Sequence, residues 1–115
     1  MKYLKNEHFN EVLSLDNLDK DKLFHHQERL SSKAMLFSSG DNLAIVYIDT
    51  IVFLKVGKTV TLNTDGWQTL TSKKWINEGL SLAGINAYMH RENWTWYISQ
   101  DGTKKEYQDG MIIKK

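Results

Sequence analysis

The sequence contains no cysteine and no proline. Lack of cysteine excludes disulfide staples, thiolate nucleophiles, iron–sulfur ligands and cysteine-based zinc sites, and is compatible with a reducing compartment. Lack of proline removes the sharpest signal of a domain boundary. An excess of either charge is missing too: fifteen Lys and Arg stand against fourteen Asp and Glu, a formal net charge of +1. No global field therefore advertises nucleic acid or an anionic membrane as the partner. No apolar run approaches the ~20 residues of a membrane helix, and the opening residues do not read as a secretory signal. What is present, 115 residues with 41% apolar and 25% charged side chains, is the composition of one soluble domain around one modest core.

The expected organisation is a single domain over 1–115, with a helical N-terminal region at 1–32 and a mainly β part at 33–115. In the first region Phe9, Val12 and Leu13 recur at helical spacing, and Asp16 and Asn17 offer a cap or break before a second helix from Leu18 to Leu30. From Lys33 onward β-branched and aromatic residues punctuated by glycine predict strands at Met35–Ser38, Leu43–Asp49, Ile51–Val56 and Thr59–Asn63. Gly57-Lys58 reads as the tight turn of the most legible hairpin, with Val60 and Leu62 facing the core. Ser72 is a credible N-cap for a helix running to about Leu82, with Trp75, Ile76, Gly79 and Leu80 on its apolar side and Gly84 as the exit. Strands follow at Ile85–His90, Trp94–Ser99 and Met111–Ile113. The fold class is α+β: an antiparallel sheet with a short helix after the third or fourth strand and N-terminal helices packed on it.

Catalytic constellations are sparse. The sequence has no phosphate loop, dinucleotide fingerprint, paired-histidine zinc motif, calcium loop or nucleophile elbow. His25 and His26 lie near Glu28, but adjacent positions on a helix point about 100° apart, so the histidines read as solvent-exposed or helix-end groups, with no metal and no cofactor expected. Asp49 interrupts the most hydrophobic stretch and reads as a turn residue, as do the aspartates beside glycine. A small hydrolase or nuclease built on Asp49, Asp65 or a histidine is the last-placed reading, and the chain is expected not to be an enzyme.

Aromatic and basic residues are more informative. Trp94 and Trp96 alternate, which in a strand puts both indoles on one face and Thr95 with Tyr97 on the other. The strand pattern leaves open which face meets solvent. Arg91 precedes the tryptophans, and Lys104 and Lys105 precede Tyr107, so the C-terminal hairpins combine rings and cations suited to stacking or interface anchoring. Between Gly66 and Lys74 a turn and a helix start carry Trp67, Gln68, Thr69, Thr71, Ser72, Lys73 and Lys74, where free backbone amides suit a phosphate, an acidic side chain or simply a well-capped helix.

The run Leu62-Asn63-Thr64-Asp65-Gly66-Trp67-Gln68-Thr69-Leu70-Thr71-Ser72-Lys73-Lys74-Trp75-Ile76-Asn77 resembles a short module of uncharacterised phage and prophage proteins: a hydroxyl-rich run, Gly-aromatic, Thr-x-Thr-Thr/Ser-Lys, a basic residue and Ile-Asn. The resemblance continues through Trp96-Tyr97 and Asp109-Gly110-Met111, about Asp49 to Ile113. Trp75 stands where the module has an arginine and Asp65 where it has a second glycine. The resemblance implies a viral setting in the host cell cytoplasm without supplying a mechanism. A small viral protein without an evident active site is often a steric inhibitor of a host protein, a CRISPR effector being one specific target. The expected partner-binding residues are Trp67, Lys73, Lys74, Arg91, Trp94, Tyr97, Lys104 and Lys105, with no membrane partner and with self-association through the N-terminal region left open. The competing reading is a nucleic-acid-binding accessory protein using Lys73, Lys74, Arg91, Lys104 and Lys105, distinguished by steep weakening as salt rises.

Overall fold

The structure, a computed structural model, describes residues 26–66 and 68–114. The expected helices at Phe9–Leu13 and from Leu18 lie largely outside these residues. Where the second would reach the described part, the chain is instead strand β1 (His26–Ser31). Its sequence is polar and helix-tolerant, and pairing with β2 (Ala34–Ser39) overrides that preference. The meander continues through β3 (Asn42–Tyr47), β4 (Thr50–Val56) and β5 (Thr59–Leu62). Two-residue loops make each reversal, with positive φ at Gly40, Ile48 and Gly57. Asp49 sits in the β3–β4 loop, as the sequence predicts. After helix α1 (Leu70–Leu82), a second meander forms from β6 (Ala87–Glu92), β7 (Thr95–Gln100) and β8 (Thr103–Glu106), and β9 (Ile112–Lys114) returns to the first sheet. Two antiparallel sheets result, one six-stranded in the order β1-β2-β3-β4-β5-β9 and one three-stranded in the order β6-β7-β8. Strands β1 and β8 escape a hydrophobic-pattern reading because both are polar and exposed edges.

Register explains which side chains become core. Leu36, Ile45, Phe53 and Leu62 form one row across β2 to β5, and Leu43, Lys55, Val60 and Ile113 form the next. These rows face α1 and the inner side of the small sheet, where Trp75, Ile76, Leu80, Met89, Trp96 and Ile98 complete one apolar cluster. Lys55 is buried in this face and donates to the Asp41 carbonyl, so its ammonium is satisfied at the sheet's end. On the opposite face Ala44, Val46, Ile51 and Leu54 are also buried.

Helix α1 starts one turn earlier than Ser72 alone predicts. Thr69 is the N-cap, its hydroxyl accepting from the Ser72 amide at 3.2 Å, while Ser72 is buried on the core side. At the exit Gly84 adopts φ 71° and the Ile85 amide reaches the Leu80 carbonyl. The helix is clamped to the free edge of β6 by Asn77, whose Nδ2 donates to the Met89 carbonyl at 3.0 Å and whose Oδ1 accepts from the Met89 amide at 2.6 Å. A single side-chain amide thus satisfies both backbone groups of an edge position. Among the described residues no helix is long and apolar enough to cross a membrane.

Gly79 sets the approach of α1 to the sheet. A Cβ there would lie 2.6 and 2.8 Å from the two Cδ atoms of Phe53, inside the 3.0 Å that real contacts respect. Gly79→Ala gains about 1 kcal/mol of helix propensity, which overpacking of about 1–3 kcal/mol against the Phe53 ring outweighs. The expected result is a lower urea midpoint for Gly79→Ala, partly restored when Phe53→Leu is added, because the two sites share one contact.

Candidate functional site

The strongest polar junction is built on Asp109. Its Oδ1 accepts from the Thr64 amide at 2.8 Å, the Thr64 hydroxyl at 2.7 Å and the Tyr107 hydroxyl at 2.7 Å, and its Oδ2 accepts from the Gly66 amide at 2.8 Å. Alongside, the Leu62 amide bonds the Met111 carbonyl and the Gly110 amide bonds the Leu62 carbonyl. The two distant parts of the quoted sequence module, Leu62–Gly66 and Asp109–Met111, therefore meet as a clasp between the sheet end and the start of α1. Three amides of the Gly66–Lys74 stretch are engaged internally: Gly66 by Asp109, Ser72 by the Thr69 hydroxyl and Lys73 by the Thr69 carbonyl.

A second constellation lies on the outer face of the small sheet. Register places Tyr88, Ser99 and Lys104 in one row and His90, Tyr97 and Glu106 in the next. The His90 ring lies 5.0 Å from Tyr88 and 5.8 Å from Tyr97, centroid to centroid. Lys104 Nζ sits 4.6 Å over the Tyr97 ring and donates to Glu92 Oε2 at 2.8 Å. That hydrogen bond holds the Glu92 carboxyl below its usual range and the Lys104 ammonium above its own. His90 Nε2 is 2.8 Å from Ser99 Oγ, and its Nδ1 is 3.7 Å from Glu92. This connectivity has the order of a nucleophile, base and acid. Glu92 is nearer Lys104, at 2.8 Å, than His90, at 3.7 Å, so its carboxylate is held by the lysine.

At the tip of the same hairpin the Asn93-Trp94 loop has φ 49° and 70°, the two left-handed residues of a type I′ turn. Trp94 is 85% exposed, and the Arg91 guanidinium lies 5.0 Å from its ring and 5.2 Å from that of Trp96. Trp94 and Trp96 do not share a strand face as their alternation predicts. Trp94 belongs to the turn, while Trp96 and Ile98 point into the core and Thr95, Tyr97 and Ser99 point outward.

The predicted site residues thus separate. Arg91 and Trp94 meet at the hairpin tip, with Tyr97 and Lys104 on the adjoining outer face. Lys105, opposite Ile98, belongs to the other side of the sheet, where it lines a cleft with Lys114. Lys73 and Lys74 are on α1, and Lys74 Nζ lies 4.7 Å over the Trp75 ring. Trp67 falls outside the described residues. Tyr88, His90 and Ser99 join the outer face; their alternation in Tyr88-x-His90 and Tyr97-x-Ser99 is the signal that places them there. Among the described residues no group of three or more His, Asp or Glu is placed to hold a metal ion. Compared with protein-family models, curated proteins and solved structures, the chain matches none.

Tyr107 gives the clasp a pH signature. Burial, followed by its hydrogen bond to Asp109, raises the phenol pKa well above the ordinary value of 10.0. The folded state therefore keeps a proton that the unfolded chain releases above about pH 10, so stability is full below that pH and falls above it. Tyr107→Phe is expected to be less stable at neutral pH and to lose less stability between pH 9 and 11, as measured by urea unfolding across that range.

Proposed function

We propose that the chain is a non-enzymatic accessory protein of phage or mobile-element origin that binds a host protein in the host cytoplasm and inhibits it sterically, a CRISPR effector being one specific target. The observation that carries the binding reading is Trp94. An L-residue in the left-handed region costs about 1–2 kcal/mol, and a bulky ring at 85% exposure recovers little of that by burial. Glycine would relieve the strain at this turn position. A strained and exposed indole at a hairpin tip, oriented by the Arg91 guanidinium, is the pattern of an interface anchor. The viral setting rests on the resemblance of the Leu62–Asn77 run to the phage module.

The nucleic-acid reading has less support. Glu92 and Glu106 share the outer face with Lys104, Lys105 is on the opposite side, and the cations do not form one stripe along a phosphate backbone. The buried second face of the large sheet, with Ala44, Val46, Ile51 and Leu54, stands outside the main core cluster.

Trp94→Gly separates stability from binding by opposite signs. The variant is expected to gain up to about 1 kcal/mol in chemical denaturation, while capture of the host partner by tagged protein falls at least tenfold. Capture should survive nuclease digestion and raised salt. A partner recovered equally well by Trp94→Gly, or recovered only with intact nucleic acid, would overturn the reading.

A further inference from the structure

The six-stranded sheet ends at β9, and no described strand lies beyond it. The β5–β9 register alternates between pairs that exchange hydrogen bonds and pairs that do not. Leu62 donates to Met111, and stepping by two along the ladder makes Val60 with Ile113 the next bonded pair, while Thr61–Ile112 and Thr59–Lys114 are non-bonded pairs. The N–H and C=O of Ile112 and Lys114 consequently turn away from β5. Gln100 confirms the direction: its Nε2 donates to the Lys114 carbonyl at 2.7 Å from the side of the small sheet.

That side is a cleft of about 440 Å³, lined by Ile98, Gln100, Thr103 and Lys105 of the small sheet and by Met111 and the three residues of β9, with Asp101 at the hairpin turn. The inner face of β7–β8 is only partly used by the core. Ile98 is buried, whereas its neighbour Lys105 is exposed and overhangs the opening. The outward-turned Ile112 N–H and C=O and Lys114 N–H, an apolar floor and two lysines against one aspartate set the chemistry that this edge recognises, the Lys114 carbonyl being held by Gln100.

We propose that the β9 edge is a strand-addition site for an extended acidic peptide segment of a partner protein, which pairs with the Ile112 and Lys114 backbone and sets carboxylates against Lys105 and Lys114. Main-chain pairing supplies the attachment and the alternating side chains supply selectivity, as in other cases of an added strand. A strand adds at 4.7–4.9 Å from its neighbour and repeats its side chains on one face every two residues, so a segment with acidic residues at alternate positions matches the cleft. The site is on the opposite side of the small sheet from Tyr97 and Lys104 and does not depend on the Trp94 surface.

The test uses the full chain and two ten-residue probes, one alternating glutamate with threonine and valine, the other with lysine in place of glutamate. In hydrogen exchange on the unaltered protein, the acidic probe is expected to slow the Ile112 and Lys114 amides at least tenfold and to leave the already bonded Ile113 amide unchanged. Ile112→Pro removes the N–H without breaking the β5 ladder and is expected to weaken binding at least tenfold. Lys105→Glu with Lys114→Glu should reverse the preference toward the lysine probe, and Trp94→Gly should leave both results unchanged, which separates this site from the one above. Equal slowing by both probes, or no slowing by either, would overturn the proposal. So would concentration-dependent protection of the same amides without any probe, which would make a second copy of the chain the occupant.

Discussion

The closeness of α1 to β4 governs everything packed around them. With only a hydrogen at Gly79, the helix rests directly on the Phe53 ring, and Trp75, Ile76 and Leu80 drop into contact with the sheet and with Met89, Trp96 and Ile98. A helix held farther out would leave the small sheet without an inner wall, because that sheet is joined to the large one mainly through α1 and the single returning strand β9. The Asn77–Met89 pairing is useful only at this separation: a short amide side chain reaches both backbone groups of one residue on β6. Close packing here is therefore an organising constraint, whose cost in helix propensity is about 1 kcal/mol for one glycine.

Polar connections divide by what they hold. Asp109 is enclosed by four donors from Thr64, Gly66 and Tyr107, and its hydrogen-bonding capacity is spent inside the molecule. The outer face of the small sheet is the reverse. Its rings and charges are paired with each other at the surface, and pairs of that kind contribute little to folding. Arg91 likewise spreads between two indoles, one buried and one not. The residues that stabilise and the residues that face outward are thus largely different sets.

Much of the fold was legible in the sequence. The Gly57-Lys58 hairpin, the apolar stripe Trp75-Ile76-Gly79-Leu80 and the Gly84 exit follow from period and turn chemistry, and the structure has each of them. Strands β1 and β8 were not legible, because an exposed edge strand need not alternate and its state is decided by its neighbour. The division into two sheets was hidden for the same reason: pairing partners separated by a helix leave no local mark. Of the expected site, Arg91, Trp94 and Tyr97 lie on the β6–β7 hairpin and Lys104 and Lys105 on β8, and strand parity divides them, with Tyr97 and Lys104 on the outer face and Arg91 and Lys105 on the side of Trp96 and Ile98. Trp94 reads from the sequence as the first residue of a strand but stands in the turn before it. Asn93-Trp94 occupies a loop where Asn-Gly is the usual signal, and a tryptophan in that position masks the turn.

The order of the strands also has a consequence for assembly. Every pairing from β1 to β5 joins sequence neighbours through a two-residue loop, as do those of β6 to β8. Such contacts close small loops and form early, whereas contacts between distant residues must first overcome a larger entropy of closure. The Thr64–Asp109 bond spans 45 residues, and β5 waits on β9 across a similar distance. During synthesis the first meander can therefore reach its register before the ribosome has supplied its last strand. Until Asp109 arrives, the segment from Leu62 to Gly66 lacks the carboxylate that its amides and the Thr64 hydroxyl bond, and closing this long loop joins the end of the first meander to the chain that follows the second.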